Sequence, residues 1–170
     1  MKKAVIIATI ISIIIFTGWF AGRIYKDIIF GINCNGHLKR AADANTVSIA
    51  EKELQTALNY MKANGLTTGY TSILYRTPDE DIGFWYTNLT ASLIELQSIS
   101  AESTQLERSN ILMKLRETIL DDGEHGSTIT TPSGISIYPH NTAWMLWGII
   151  SFILNILGAC YCFITSDYYF

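Results

Sequence analysis

Two stretches without a single Asp, Glu, Lys, Arg or His, Ala4 to Phe20 and Ala143 to Thr165, stand near the two ends of this 170-residue chain. At about 1.5 Å of rise per residue, each forms a helix able to cross most or all of a hydrocarbon core about 30 Å thick. A fold of this kind is constrained from both sides, and the sequence predicts a two-span transmembrane helical hairpin bracketing everything between. The expected divisions are 1–22 for a tail and the first membrane helix, 23–141 for a soluble domain, 142–165 for the second membrane helix, and 166–170 for a short tail.

The composition, 49% hydrophobic and only 16% charged, blends these two regimes. All but Lys2 and Lys3 of the 12 basic residues, and all but Asp167 of the 15 acidic ones, fall between Ala21 and Asn141, which leaves 10 against 14 there. That segment is long enough for one domain with its own core. Its charges are interspersed and net acidic, which excludes a nucleic-acid footprint.

Met1-Lys2-Lys3 is a short basic start, and Phe20-Ala21-Gly22 offers small residues near a plausible cut, the pattern of a secretory signal. The expectation is instead an uncleaved anchor. Aromatic rings prefer the membrane–water boundary, so Trp19, Phe20, Trp144 and Trp147 are expected at one interface, and Tyr161, Tyr168 and Tyr169 at the other. The short basic start then puts both termini on the cytoplasmic side and the domain on the extracytoplasmic side. Cys160 and Cys162 lie in the second span and Cys34 stands alone in the soluble part, so no disulfide framework is implied.

Along the second span Gly148, Ser151, Asn155 and Gly158 recur at spacings of three and four, which gathers small and polar groups on one helical face. Helices in lipid associate through such faces, and Gly18 and Gly22, spaced as Gly-x-x-x-Gly, are the expected counterpart in the first span. Packing of the two spans on each other is the primary reading. A contact with another membrane protein or a second copy is the next. Asn155 is the sharpest residue, because an amide within a membrane is costly unless bonded.

Between the spans the spacing predicts a bundle of three to four helices. Val47, Ala50, Leu54, Ala57 or Leu58 and Met61 form one stripe, stopped by Asn64-Gly65; Leu38 and Ala41 extend it backward past Asn45 into one helix from about His37. Thr77-Pro78-Asp79-Glu80 combines an N-cap hydroxyl, a proline at the first helical position and a capping-box carboxylate. It predicts a second helix, with Ile82, Trp85, Leu89, Leu93 and Leu96 inward. Thr104-x-x-Glu107 caps a third, carrying Leu106, Leu112, Met113, Leu115, Ile119 and Leu120 and ending at Gly123. Gly22 to Asn33, with Ile24, Ile28, Ile29 and Ile32, continues the first span as a stalk or fourth helix until Asn33 to Gly36 interrupts it. Thr67 to Arg76 reads as extended, and Thr128–Thr131 with Ile135–Tyr138 around Pro132-Ser133-Gly134 reads as a minor β-hairpin. Asn141 or Thr142 caps the second span.

The chemistry-bearing signals are sparse. Cys34-x-x-His37 is half of a zinc spacing, and His125 and His140 supply no matching pair, so no metal site is expected. Asp121, Asp122 and Glu124 read as a solvated acidic turn at a helix C-terminus. The sequon Asn88-Leu89-Thr90 falls inside a predicted helix. There is no phosphate-binding glycine loop, no Gly-x-Ser-x-Gly elbow, no His-Glu-x-x-His and no Ser/His/Asp or Cys/His set, so the expectation is a protein that is no enzyme and uses no cofactor.

The remaining signal is aromatic. Tyr70, Tyr75, Phe84 and Tyr86 surround the inward Trp85 and form the candidate surface for a partner or ligand. The first functional expectation is a structural or accessory subunit whose helical domain docks a partner in a membrane assembly. The second is a membrane-anchored sensor or ligand-binding module. An anchored helical domain between two spans resembles bacterial chemoreceptor sensing modules in layout, with no motif shared. The few residues after the second span leave any signal to a partner, which places this reading second.

Overall fold

The computed structural model describes residues 2–99, 102–123 and 126–166. In chain order its helices are α1 (Lys2–Phe30), α2 (Gly36–Ala42), α3 (Val47–Ala63), α4 (Ile82–Ser98), α5 (Gln105–Ile119) and α6 (Asn141–Ser166), with strands β1 (Leu120–Gly123) and β2 (Gly126–Ile129) between α5 and α6. The protein is mainly helical with a small two-stranded sheet. Backbone contacts divide it into a unit made of the chain through Asp27 with the chain from His140, and a second unit from Ile28 to Pro139.

In the second unit the apolar stripe of α3 does what its spacing implies. Ala50, Leu54, Ala57, Leu58 and Met61 are all buried, and Thr46 caps the helix by accepting the Ile49 N–H. The stop is a Schellman turn: the Gly65 N–H donates to Lys62 O and the Leu66 N–H to Met61 O, with Gly65 at φ +70°. Leu66 is itself buried, so the turn also seals the end of the core.

Two expectations upstream are corrected. Leu38 and Ala41 do not belong to α3; the chain breaks at residues 43–46, and α2 packs back on α3 as a separate helix. Nor do Asn33 to Gly36 interrupt the helix. Gly31–Asn35 forms a π turn in which the Gly36 N–H donates to Gly31 O, five residues back. The wider turn keeps Phe30, Cys34, Leu38 and Ala42, four residues apart, in one buried line. Gly36 fits because a Cβ there would lie 3.1 Å from Gly31 O.

The start of α4 also differs. Pro78–Glu80 is a single 3₁₀ turn, the Thr77 hydroxyl donates to Glu80 rather than capping, and Asp81 is the true cap, accepting the Phe84 N–H at 3.1 Å. Asp81 is held extended by its bridge to Tyr70, and the Ile82 N–H donates to Gly69 O beside it. Residues 67–76 therefore form an irregular loop with one bridge, not a strand. The inward face of α4 is as expected, with Ile82, Trp85, Leu89, Leu93 and Leu96 buried.

Helix α5 carries the expected capping box: the Thr104 N–H donates to Glu107 Oε2 at 2.7 Å and the Glu107 N–H to Thr104 Oγ1 at 3.2 Å. Of its expected stripe, Leu115 and Ile119 are buried and Leu106 and Met113 are exposed. The helix ends at Ile119, not Gly123, because the chain turns into β1, which pairs with β2 from Leu120↔Ile129 to Gly123↔Gly126. The hairpin is thus one segment earlier than expected, and Ile135–Ile137 is a 3₁₀ turn. Asp121 and Asp122 lie in β1 rather than at a helix end; Glu124 and His125 fall outside the described residues.

The Thr104 amide, then its hydroxyl, hold the Glu107 carboxyl below its ordinary value of 4.5. A depressed folded value means the capping box stabilises the fold above the unfolded-state pKa and is lost as pH falls through the folded one. Amide protection in the first turn of α5, corrected for intrinsic exchange, is expected to hold at neutral pH and to fall below pH about 4. Protection unchanged down to pH about 2 would exclude this role for the pair.

In the first unit α6 begins at Asn141, where the His140 carbonyl accepts the Trp144 N–H at 3.0 Å. His140, rather than Asn141 or Thr142, therefore occupies the cap position.

Candidate functional site

Among the described residues two helices are long and apolar enough to cross a membrane: the helical stretch Ala4–Ala42, whose most apolar 18-residue window has a mean hydropathy of 2.4, and Asn141–Tyr161, whose window has 1.8. In their most apolar windows only 6% and 17% of residues are buried within the protein. Ile6, Ile10, Ile14, Ile149, Phe152 and Leu157 are among the large side chains facing outward.

The inward side of this pair is made of the small and polar residues. A Cβ on Gly148 would lie 2.7 Å from the Trp19 indole, and one on Gly22 would lie 2.8 Å from the Trp144 ring. A Cβ on Gly158 would collide with Thr9. The Trp19 indole N–H donates to Trp144 O at 2.7 Å, and the buried Ser12 hydroxyl donates to Ser151 O at 3.2 Å. Trp144 stacks on Trp147 at 5.3 Å and Phe16 on Trp19 at 5.5 Å, so Trp19, Trp144 and Trp147 come together, while Phe20 is 55% exposed. Tyr161 lines a shallow groove with Ala8, Thr9 and Gly158. Tyr168 and Tyr169 lie outside the described residues.

One member of the expected seam has other surroundings. Gly18 is exposed, and nothing stands within 4 Å of its Cβ position. It lies about 100° round the helix from Trp19, which occupies the contact. Asn155 Nδ2 donates to Ser151 O of its own helix at 2.9 Å and, across the pair, to Ser12 O at 3.5 Å, so the shorter cross-helix links are those of Ser12 and Trp19. Gly148→Leu is therefore expected to separate the helices at a cost of about 1–3 kcal/mol, while Gly18→Leu leaves them paired. Disulfide cross-linking between cysteines placed at 8 and 154, which line the same groove without filling a glycine position, reads the difference; equal cross-linking in both variants would contradict the seam.

In the second unit the aromatic residues divide. Trp85 is core, Tyr86 is half-buried against it, and Phe84, Tyr75 and Tyr70 are exposed at 65%, 76% and 36%. Phe84, Asn88, Ala91 and Ile94 share the outward face of α4. Tyr70 carries the Arg76 guanidinium 5.6 Å above its ring. Asn88-Leu89-Thr90 lies within α4 with Leu89 buried, as its spacing predicts.

A cluster not singled out from the sequence joins α2 to α3. Glu53 is buried, with Oε2 2.6 Å from His37 Nδ1 and Oε1 2.8 Å from Arg40 Nη2. The sequence signal was present: Glu53 falls three residues after Ala50, on the buried stripe, where a lone acid must find partners. His37 is thus committed to Glu53, while Cys34 is a buried free thiol. No group of metal-ligating side chains exists among the described residues. An open cleft of about 1070 Å³ lies where the α2–α3 turn, the end of α4 and α5 meet, lined by Asp43, Glu51, Gln97, Arg108, Leu112 and Arg116. Arg116 spans it by pairing with Asp43 at 2.9 Å.

No protein-family model, no curated protein and no solved structure matches this chain.

Proposed function

We propose that this protein is an integral membrane protein with two spans, its termini cytoplasmic and its helical domain extracytoplasmic, serving as a structural or accessory subunit of a membrane assembly. The observation that carries the membrane reading is the inversion of polarity in the paired helices. Their large aliphatic side chains face outward, while Gly22, Gly148, Gly158, Ser12 and Ser151 face inward, the reverse of a water-soluble helix pair. Lipid is the solvent that accepts such a surface.

The domain's role as a docking module is supported by the outward face of α4, where Phe84 and Ile94 are 65% and 61% exposed without any chemistry-bearing cluster nearby. Such side chains anchor protein contacts. The test is isolation of the full chain in a mild detergent after carbonate washing of membranes. The chain is expected in the washed membranes, with one partner in constant ratio that is lost on Phe84→Ala. Release by carbonate would end the membrane reading; a partner ratio indifferent to Phe84 and Ile94 would end the docking reading.

A second reading, ligand sensing, is favoured by the cleft beside Arg108 and Arg116. It requires association that depends on an added small molecule rather than a constant ratio.

A further inference from the structure

Residues 66–81 form a loop closed at its base and open at its tip. The Ile82 N–H donates to Gly69 O at 2.9 Å, the Thr71 N–H donates to Glu80 O at 3.1 Å, and Tyr70 bridges Asp81. Thr71 is buried at this base, whereas Ile73, Leu74 and Tyr75 are exposed at 37%, 78% and 76%. Three consecutive large apolar residues in water are unfavourable unless something covers them.

The position of the loop within its own unit says what that cover is. The unit begins at Ile28 and ends at Pro139. Near its first residue, Phe30 packs its ring 6.2 Å from Tyr60, in the last turn of α3, which leads through Leu66 into the loop. Near its last residue, the Tyr138 hydroxyl donates to Thr68 O at 3.0 Å, and Gly69, at φ +102°, leaves room for that hydroxyl. The point where the chain leaves this unit therefore lies beside the base of the loop, and the entry packs on the helix that leads into it. From the exit the chain continues into the second apolar helix.

We infer that the tip Ile73-Leu74-Tyr75 inserts into the interfacial layer of a lipid bilayer. This rests on the membrane reading above. Ile and Leu supply apolar surface, Tyr75 supplies the amphipathic ring that favours the headgroup level, and Arg76 can extend to phosphate from its place over Tyr70. The charges around the tip are mixed: Arg76 and the exposed Asp79 oppose each other, Glu80 accepts the Thr77 hydroxyl, and Asp81 caps α4. Insertion is thus driven by apolar burial, and zwitterionic lipid suffices.

The test places the full chain in nanodiscs of phosphatidylcholine containing an analogue with a diazirine near the glycerol end of one acyl chain. After irradiation, lipid adducts are mapped by mass spectrometry. Adducts are expected at residues 73–75 as well as within α1 and α6, and Leu74→Glu is expected to lower the loop adducts at least about fivefold without changing those of the helices. Helices labelled with a bare loop would overturn the inference and leave the membrane reading standing. Loss of adducts from the helices too would overturn both. Photo-leucine at position 74 joining a polypeptide instead of lipid would assign the tip to a protein partner and overturn the inference.

Discussion

The double replacement His37→Ala with Arg40→Ala is expected to destabilise the helical domain by about 3–5 kcal/mol, because it strands a buried carboxylate. Both Glu53 oxygens are engaged, at 2.6 and 2.8 Å, and its side chain is only 7% exposed, so water cannot replace the lost partners without opening the α2–α3 contact. Removing the charge itself is a different experiment. Glu53→Leu leaves His37 and Arg40 at 28% and 68% side-chain exposure, where they reach solvent, and an apolar residue suits the stripe between Ala50 and Ala57. That variant is expected to lie within about 1–2 kcal/mol of the parent. Urea titration of the full chain in micelles, read by alkylation of Cys34, measures both, since that thiol is wholly enclosed in the folded domain. A double variant as stable as Glu53→Leu would mean that Glu53 is not desolvated.

The second large effect is expected at Leu89, which is 1% exposed at the centre of the inward face of α4. Leu89→Ala removes packing and leaves a cavity at a cost of about 2–5 kcal/mol. Five residues earlier, Phe84→Ala removes a larger side chain from a 65% exposed position and is expected to change stability by no more than about 0.5 kcal/mol. Under the docking reading, Phe84→Ala is expected to lower association with a partner instead. Measured together by the Cys34 assay and by partner recovery, the two substitutions separate folding from docking. Equal loss of stability would place Phe84 in the core and remove it from the docking surface.

Much of the helical content was legible because it is local. The Thr104 capping box, the Gly65 stop and the stripes of α3 and α4 each depend on residues within one or two turns, and all appear where their spacing puts them. The misplaced features share a cause in long-range pairing. Thr77-Pro78-Asp79-Glu80 is a good cap in isolation, yet the bridge from Tyr70 to Asp81 delays α4 by one short turn. Likewise Leu120 is drawn into the core and takes the chain out of α5 before Gly123, which moves the hairpin.

The candidate sites divide in the same way. Gly22, Gly148, Ser151 and Gly158 were recoverable from periodicity, but which of Gly18 and Gly22 meets the other helix depends on the rotation of α1, which the Trp19 indole fixes by its bond to Trp144 O. Asn155 was legible as a polar residue in an apolar helix; that it bonds chiefly to its own helix was not.

By itself, then, the sequence determined the two charge-free helices, the Thr104 cap, the Gly65 stop, and the inward faces of α3 and α4, because hydrophobic period and backbone hydrogen bonding are settled there within a few residues. Only the tertiary structure decided the π turn that aligns Phe30, Cys34 and Leu38, the enclosure of Glu53 by His37 and Arg40, and the tie from the Tyr138 hydroxyl to Thr68 O at the base of the 66–81 loop. Each of these depends on which distant surface a segment meets. That choice is made by packing over the whole core, where burial of one face fixes the register of the next.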